Sequence, residues 1–214
     1  MQKPGCVVYS FGSNGQVTFE EAVVDITHKH CEVHVFDFTL SAEQAQEVEA
    51  IEGVLFHDYG IGVNDEIVNG RFQYENRVVN SYELKTLPTI MKELGHDWVH
   101  VFKMDIEGAE YEVLPSIMTH YAEAQQVVPV TQAQIEYHHW AGRPSTEHLL
   151  STLRLVEEGG FRAFHSEFNY HGEAWNFIEY AYLHVDNEGH VVSPTEPGPY
   201  HVKSSSSHRP SKQP

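Results

Sequence analysis

Val8 to Val23 reads VYSFGSNGQVTFEEAV: a short apolar strand, a turn carrying Gly12 and Gly15, then a helical start. A helix needs at most one glycine to begin. Two glycines around the polar pair Ser13-Asn14 imply backbone that comes close to something that is not protein. Cys6 to Phe11 is nearly all apolar and β-type, the pattern of a strand buried on both faces. Thr18 or its neighbourhood caps a helix running to about Thr27, with Glu20 and Glu21 in its first turn.

Working outward, the same alternation recurs. EVHVFDF, Glu32 to Phe38, is a second strand, and Ser41 with Gln44 has capping-box spacing before a short helix. GVLFHDYGIG reads as a third strand ending on glycines. Val63 to Ser81 reads as an irregular or hairpin insertion, with Asn69-Gly70 as its turn signal. LKTLPTIMKEL is helical, with Pro88 in the first turn and Gly95 as the stop. Val99 to Met104 is a fourth strand followed by a helix from about Ala109, and QAQIEYHHW is a fifth. Glu147 to Glu158 is a helix stopped by Gly159-Gly160. FRAFHSEFNY and FIEYAYLHV close the series with no helix between them. Apolar strands alternating with helices predict an α/β fold: an open, mostly parallel seven-stranded sheet with an antiparallel last strand and helices on both faces.

The 214 residues make one domain, expected over 1–192, followed at 193–214 by a Pro/Ser-rich tail expected to be disordered. Acidic residues outnumber basic ones 31 to 13, a formal charge of −18, and such a field repels phosphate backbones. A nucleic-acid substrate is therefore not expected. No apolar run approaches the ~20 residues of a membrane-spanning helix, so no membrane contact is expected of this chain. The start carries no secretory signal and is abrupt enough for a fragment; the compartment stays open between cytoplasmic and, with an anchor outside this sequence, lumenal or secreted. Cys6 and Cys31 make neither a disulfide framework nor a zinc site, and no metal is expected. Cys6 lies six residues before Gly12 and Cys31 six before Asp37, so the two are expected side by side on neighbouring strands, close but unbonded. HKHCEVH, His28 to His34, holds three histidines with no evident site.

Ligands of an open parallel sheet bind beyond the carboxyl ends of its strands. Phe11-Gly12-Ser13-Asn14-Gly15 follows the first strand, Asp37 and Phe38 the second, and His57-Asp58-Tyr59-Gly60 the third. A glycine turn after strand one with an acid after strand two is the layout of an adenosine crevice, the carboxylate accepting from two ribose hydroxyls. A dinucleotide would want a third glycine to cradle its pyrophosphate, and Gly12-x-x-Gly15 offers none. The pattern favours S-adenosylmethionine over NAD.

KMDIEGAEYEVL, Lys103 to Leu114, resembles the fourth-strand signature of the FkbM-type methyltransferases, and VYSFGSNGQVTFEEAV, CEVHVFDFT and TLPTIMKELGHDWVHVFKMDIEGAE are similar to segments of the related methyltransferase-like proteins. The resemblance covers about Cys6 to Val185 and implies a Rossmann-like, S-adenosylmethionine-dependent enzyme methylating oxygen of a small molecule or glycan. It implies Gly12 at the donor's methionine end, Ser13 and Gly15 beside it, and Asp37 with Phe38 on the ribose side. Asp58 would face the adenine amino group, and Asp105 would lie between donor and acceptor. The chain departs from the family at its glycine loop, which lacks the acid-x-Gly-x-Gly form, and at Pro88, where many members have aspartate.

Methyl transfer from a sulfonium needs positioning, plus a base where the acceptor is a hydroxyl. Glu107 can take that proton, and Lys103 neutralises the acid group. Glu110 fits either a role there or a place in the helix's first turn. Alternation puts Glu136 and His138 on one face of the fifth strand and Tyr137 and His139 on the other. His139 is carried as the candidate base beside Asp105 and Glu107; His138 is its alternative, and either could instead ligate a metal with Asp105. Trp140 either walls an acceptor pocket or packs on the sheet. Two rival readings remain: a donor-binding module without chemistry, and a nicotinamide-dependent oxidoreductase.

Overall fold

A computed structural model describes residues 5–74, 77–139, 144–171 and 174–194. Trp140 and positions 195–214 of the expected tail lie outside them. The order is β1 (Cys6–Phe11), α1 (Thr18–Ile26), β2 (Cys31–Phe36), α2 (Ala42–Glu49), β3 (Val54–His57), β4 (Gly60–Ile61), β5 (Glu66–Tyr74) and β6 (Arg77–Lys85). Then follow α3 (Leu87–Leu94), β7 (Val99–Met104), α4 (Glu110–Glu123), β8 (Val130–His138), α5 (Thr146–Glu158), β9 (Phe161–His171) and β10 (Ala174–His184).

Seven strands form the main sheet in the order β3-β2-β1-β7-β8-β10-β9. β3, β2, β1, β7 and β8 pair in parallel, and β10 runs antiparallel to both of its neighbours. The central strands are buried on both faces because each face carries its own apolar layer. Val8, Val33 and Val35 pack with Val24 of α1 and Val48 of α2. Tyr9, Phe11 and Phe36 face the other way, into a larger core with Ile90 of α3, Leu114 of α4 and Val156 of α5. Strand order reverses at β1, between β2 and β7, which opens a crevice beyond the carboxyl ends of those strands.

Local signals explain the element ends. Ser41 and Gln44 complete a reciprocal capping box on α2. Thr86 caps α3, whose first turn holds Pro88 and whose stop is Gly95 at φ 73°. α1 begins after Val17 with no side-chain cap. Glu20 is fully buried there and accepts a short hydrogen bond from Ser10 of β1 rather than lying on the solvent side of the first turn.

The insertion is a hairpin, one of the two forms expected from the sequence, but its turn lies elsewhere. It belongs to a three-stranded sheet, β4-β6-β5, in which β5 and β6 make a long hairpin closing between Tyr74 and Arg77. Asn69-Gly70 is not its turn. The pairing shifts register between Asn69 and Phe72, placing Gly70 at a bulge inside β5, the other position in a ladder that tolerates glycine.

Cys6 and Cys31 are directly paired in register, as their equal distances from Gly12 and Asp37 predict, with Cα atoms 4.5 Å apart. Proximity without a bond was the expectation; the structure joins them in a disulfide. The opposed Cα pair falls inside the range that a disulfide spans without backbone movement.

Candidate active site

The glycines of the opening turn pack against backbone and side chain of the protein, and Gly12 also lines a cavity. Gly12 has φ 78°, and a Cβ there would lie 1.7 Å from the Asp105 carbonyl oxygen; at Gly15, φ 75°, it would lie 2.8 Å from Gln44 Nε2. What both glycines approach is protein. The Asp105 N–H donates to the Phe11 carbonyl at 3.0 Å, so the glycine turn and the end of β7 are packed backbone to backbone. Two segments ninety residues apart in sequence thereby share one wall.

That wall borders a cavity of about 580 Å³, within the range of small-molecule sites. Gly12, Ser13, Asp37, Phe38, Asp105 and Glu107 of the expected residues line it. Gly15 does not, because it turns against Gln44. Asp58 does not either: it borders an adjoining cleft, which shares Phe38 and Tyr82 with the cavity. Those two rings stack 4.3 Å apart and line both spaces. Burial first, then the charge of Asp37, raises the Asp58 carboxyl above the ordinary range.

Asp37 is only 5% exposed, and its carboxylate already accepts four hydrogen bonds. The Asn14 N–H donates at 2.7 Å and the Ser13 hydroxyl at 3.3 Å to one oxygen. The Thr39 N–H and hydroxyl donate at 2.8 and 2.6 Å to the other. Two donors are fixed backbone groups; two are hydroxyls that can rotate away and leave a lone pair for a ligand hydroxyl.

The cavity is also lined by an acid cluster around one histidine. His138, which ends β8 and is 3% exposed, donates from Nδ1 to Glu110 Oε1 at 2.8 Å. Its Nε2 lies 3.6 Å from Asp105, 3.4 Å from Glu107 and 3.7 Å from Glu136. His139 is a correction: it does not line the cavity, because strand alternation aims successive residues to opposite faces. Burial pulls the His138 imidazole down, but the Glu110 hydrogen bond and the charges of Glu110, Glu107 and Glu136 together hold it above its ordinary value.

Glu110 is fully buried and also accepts from the Ile106 N–H at 3.1 Å. It is therefore more than a dipole-favoured first-turn residue: it orients the imidazole. Glu136, whose side chain is 12% exposed, is pushed up to about 7 by burial and then by the negative charge of Asp105; His138 and an Asn169 hydrogen bond of 3.0 Å oppose the rise. Asp105, Glu136 and His138 present ligand atoms within 4.8 Å of one another, so they could also hold a cation. Lys103 lines the cavity but makes no ion pair with this cluster among the described residues.

The hairpin completes the site. Tyr74 donates its hydroxyl proton to Glu107 Oε1 at 2.6 Å, and Glu107 itself holds φ 58°, left-handed backbone uncommon for a non-glycine. Arg77 hydrogen bonds to Asn14 Oδ1 and, at 3.1 Å, to Gln44 Oε1. One arm thus touches the acid cluster and the other the glycine turn. Neither contact has a sequence signal, since the partners lie 33 and 63 residues away.

Comparison with known proteins bears on this arrangement. A family model described as a methyltransferase domain matches residues 1–184. The human probable methyltransferase-like protein 24 is 28% identical over 171 residues, covering 75% of this chain and 42% of that protein. The rat protein of the same description is 27% identical over 171 residues, covering 75% and 43%. The chain spans less than half the length of these curated relatives. Among solved structures, fibrillarin of Methanococcus jannaschii, a pre-rRNA processing protein, superposes with a TM-score of 0.52 at 10% identity, covering 85% of this chain and 67% of that one. A fibrillarin/Nop5p complex gives 0.51 at 14%, covering 86% and 74%. At these identities the likeness is one of fold.

Proposed function

This chain belongs to the methyltransferase-domain family, and we propose that it uses S-adenosylmethionine to methylate an oxygen of a small molecule or glycan. The observation that carries the reading is one cavity lined both by the glycine turn with Asp37 and by the Asp105, Glu107, Glu136 and His138 cluster. Its residues fit the donor. The space is ample, and Asp37 can exchange the Ser13 and Thr39 hydroxyls for the two hydroxyls of a ribose while its backbone donors hold it in place.

When bound, the donor supplies a methyl carbon whose sulfur departs with the bonding electron pair as the acceptor oxygen attacks. The protein's part is to orient the acceptor and receive its proton. Glu136 suits that role best, because a carboxylate poised near neutrality is a better general base than one at its ordinary value. Asp105 and Glu107 orient the acceptor, and His138, held by Glu110, balances the concentrated negative charge. The acid-lined cavity and the charge of −18 favour a neutral or cationic acceptor over a polyanion.

Thermal shift and titration calorimetry with S-adenosylhomocysteine test the donor, with NAD as control. At a hundred-fold excess over the dissociation constant the product should add about 2.7 kcal/mol of stability. Equal stabilisation by NAD, or none by either compound, refutes the reading. Turnover with a panel of hydroxylated small molecules, glycans and an RNA oligonucleotide then tests the acceptor class.

A further inference from the structure

We propose that Glu32, His34 and His96 form a divalent transition-metal site, suited to zinc, on the α3-covered face of the sheet and separate from the donor cavity. Three observations carry it. The ligand atoms of these residues lie within 4.8 Å of one another, with His34 Nε2 3.3 Å and His96 Nε2 3.9 Å from the Glu32 carboxylate. Tetrahedral zinc with bonds of ~2.0–2.1 Å to nitrogen and oxygen sets its ligands roughly 3.4 Å apart, so small side-chain adjustments close the site. None of the three lines the donor cavity.

The second observation concerns His34 itself. Its side chain is 2% exposed, and its Nε2 is buried with no hydrogen-bond partner, 3.3 Å from the Glu32 carboxylate. Buried polar atoms are nearly always satisfied, and an orphan nitrogen this close to a carboxylate, with a second imidazole beside them, is accounted for by an ion between them. Third, the opposite nitrogens are already held. His34 Nδ1 lies 2.8 Å from His57 Nε2, and His96 Nδ1 lies 2.7 Å from the Tyr9 hydroxyl. Metal-ligating histidines are fixed in this way, with the outer nitrogen engaged and the inner one free to coordinate.

Two imidazoles and one carboxylate form a donor set that takes zinc or cobalt in preference to magnesium or calcium, which favour all-oxygen shells. Such an ion would clip the middle of β2 to the turn that follows Gly95, where α3 hands over to β7. It would also give a purpose to part of HKHCEVH, the stretch in which the sequence shows no site.

The test uses the whole chain, stripped with a chelator and titrated with cobalt(II), whose visible d–d bands report coordination geometry, then with zinc as competitor. One tight equivalent per chain is expected, with tetrahedral-type absorption bleached by zinc. Glu32→Gln and His96→Ala should each weaken that equivalent by more than the ~10–100-fold that loss of an outer partner costs, and Tyr9→Phe should fall within that range. Glu32 is partly exposed, so its variant should fold; circular dichroism and the response to S-adenosylhomocysteine verify this independently of metal. Asp105→Asn should leave the tight equivalent in place. Absence of a tight equivalent in the wild type, its survival in both ligand variants, or its loss only with Asp105→Asn each overturns the proposal.

Discussion

Replacing Glu136 by glutamine keeps the side chain's shape and its acceptor for Asn169 while deleting one charge from the cluster. The carboxyl is raised from 4.5 to about 7, chiefly by burial and then by Asp105. A raised acid binds its proton more tightly in the fold than in the unfolded chain. Stability is therefore unaffected by this group below pH ~4.5, falls as pH rises between the two values, and carries the full cost above pH ~7. At ~1.36 kcal/mol per pKa unit a carboxyl raised this far costs the fold a few kcal/mol, and solvent reaching the cavity mouth brings the net figure to about 2 kcal/mol.

Removing the charge also costs His138 one neighbour at 3.7 Å, but the closest carboxylate, Glu110 at 2.8 Å, remains. Urea unfolding of both proteins at pH 5 and pH 8, followed by tryptophan fluorescence, reads the effect. The variant should match the wild type within ~0.5 kcal/mol at pH 5 and exceed it at pH 8, where a slope of ~2 kcal/mol/M converts the gain to a midpoint shift of about 1 M. An equal difference at both pH values, or a variant less stable at pH 8, refutes the assignment of a high carboxyl to Glu136. If Glu136 is also the base, turnover of the wild type rises through pH ~7 and the variant loses both the rise and most of the rate.

Asp37→Ala should abolish stabilisation by S-adenosylhomocysteine and cost the ligand-free protein about 2 kcal/mol, since Asn14, Ser13 and Thr39 lose a shared acceptor; calorimetry and denaturation measure the two separately. Asp105→Asn should lower turnover at least ~100-fold with donor affinity nearly unchanged, and a collapse of donor affinity would reassign it. Gly12→Ala should be destabilising by more than ~3 kcal/mol, because its Cβ meets the Asp105 carbonyl at 1.7 Å and φ is 78°. Alkylation followed by intact mass should find Cys6 and Cys31 unreactive until reduced, and two modified thiols in the native chain would contradict the disulfide.

The fold was legible because its signals are local. Apolar strand runs, the Ser41 capping box, Gly95 and the disposition of Cys6 and Cys31 depend on neighbours in sequence or on simple register. Asn69-Gly70 misled for a related reason: the backbone freedom that makes a hairpin turn also serves a bulge, and only the partner strand decides between them. The site was legible by half. Alternation separated His138 from His139, but choosing the inward face needed Glu110, whose carboxylate meets the ring from another element. Tyr74 and Arg77 left no trace, because their partners are set by how the inserted hairpin folds back.

Gly12 shows where the boundary falls. Its close approach, expected from the sequence to be to a ligand, is to the Asp105 backbone on one side, while the residue also lines the cavity. Its contact with the Asp105 carbonyl changes the site's logic, because the turn that would hold the donor and the strand end that would meet the acceptor are one packed unit. On the proposed reading, the separation of donor and acceptor would be set largely by this backbone packing, which suits an in-line displacement whose rate falls steeply with misplacement. Side chains would then do what backbone cannot, with Glu136 receiving the acceptor's proton, while Glu110 fixes His138, and Tyr74 and Arg77 tie the hairpin to the acid cluster and the glycine turn.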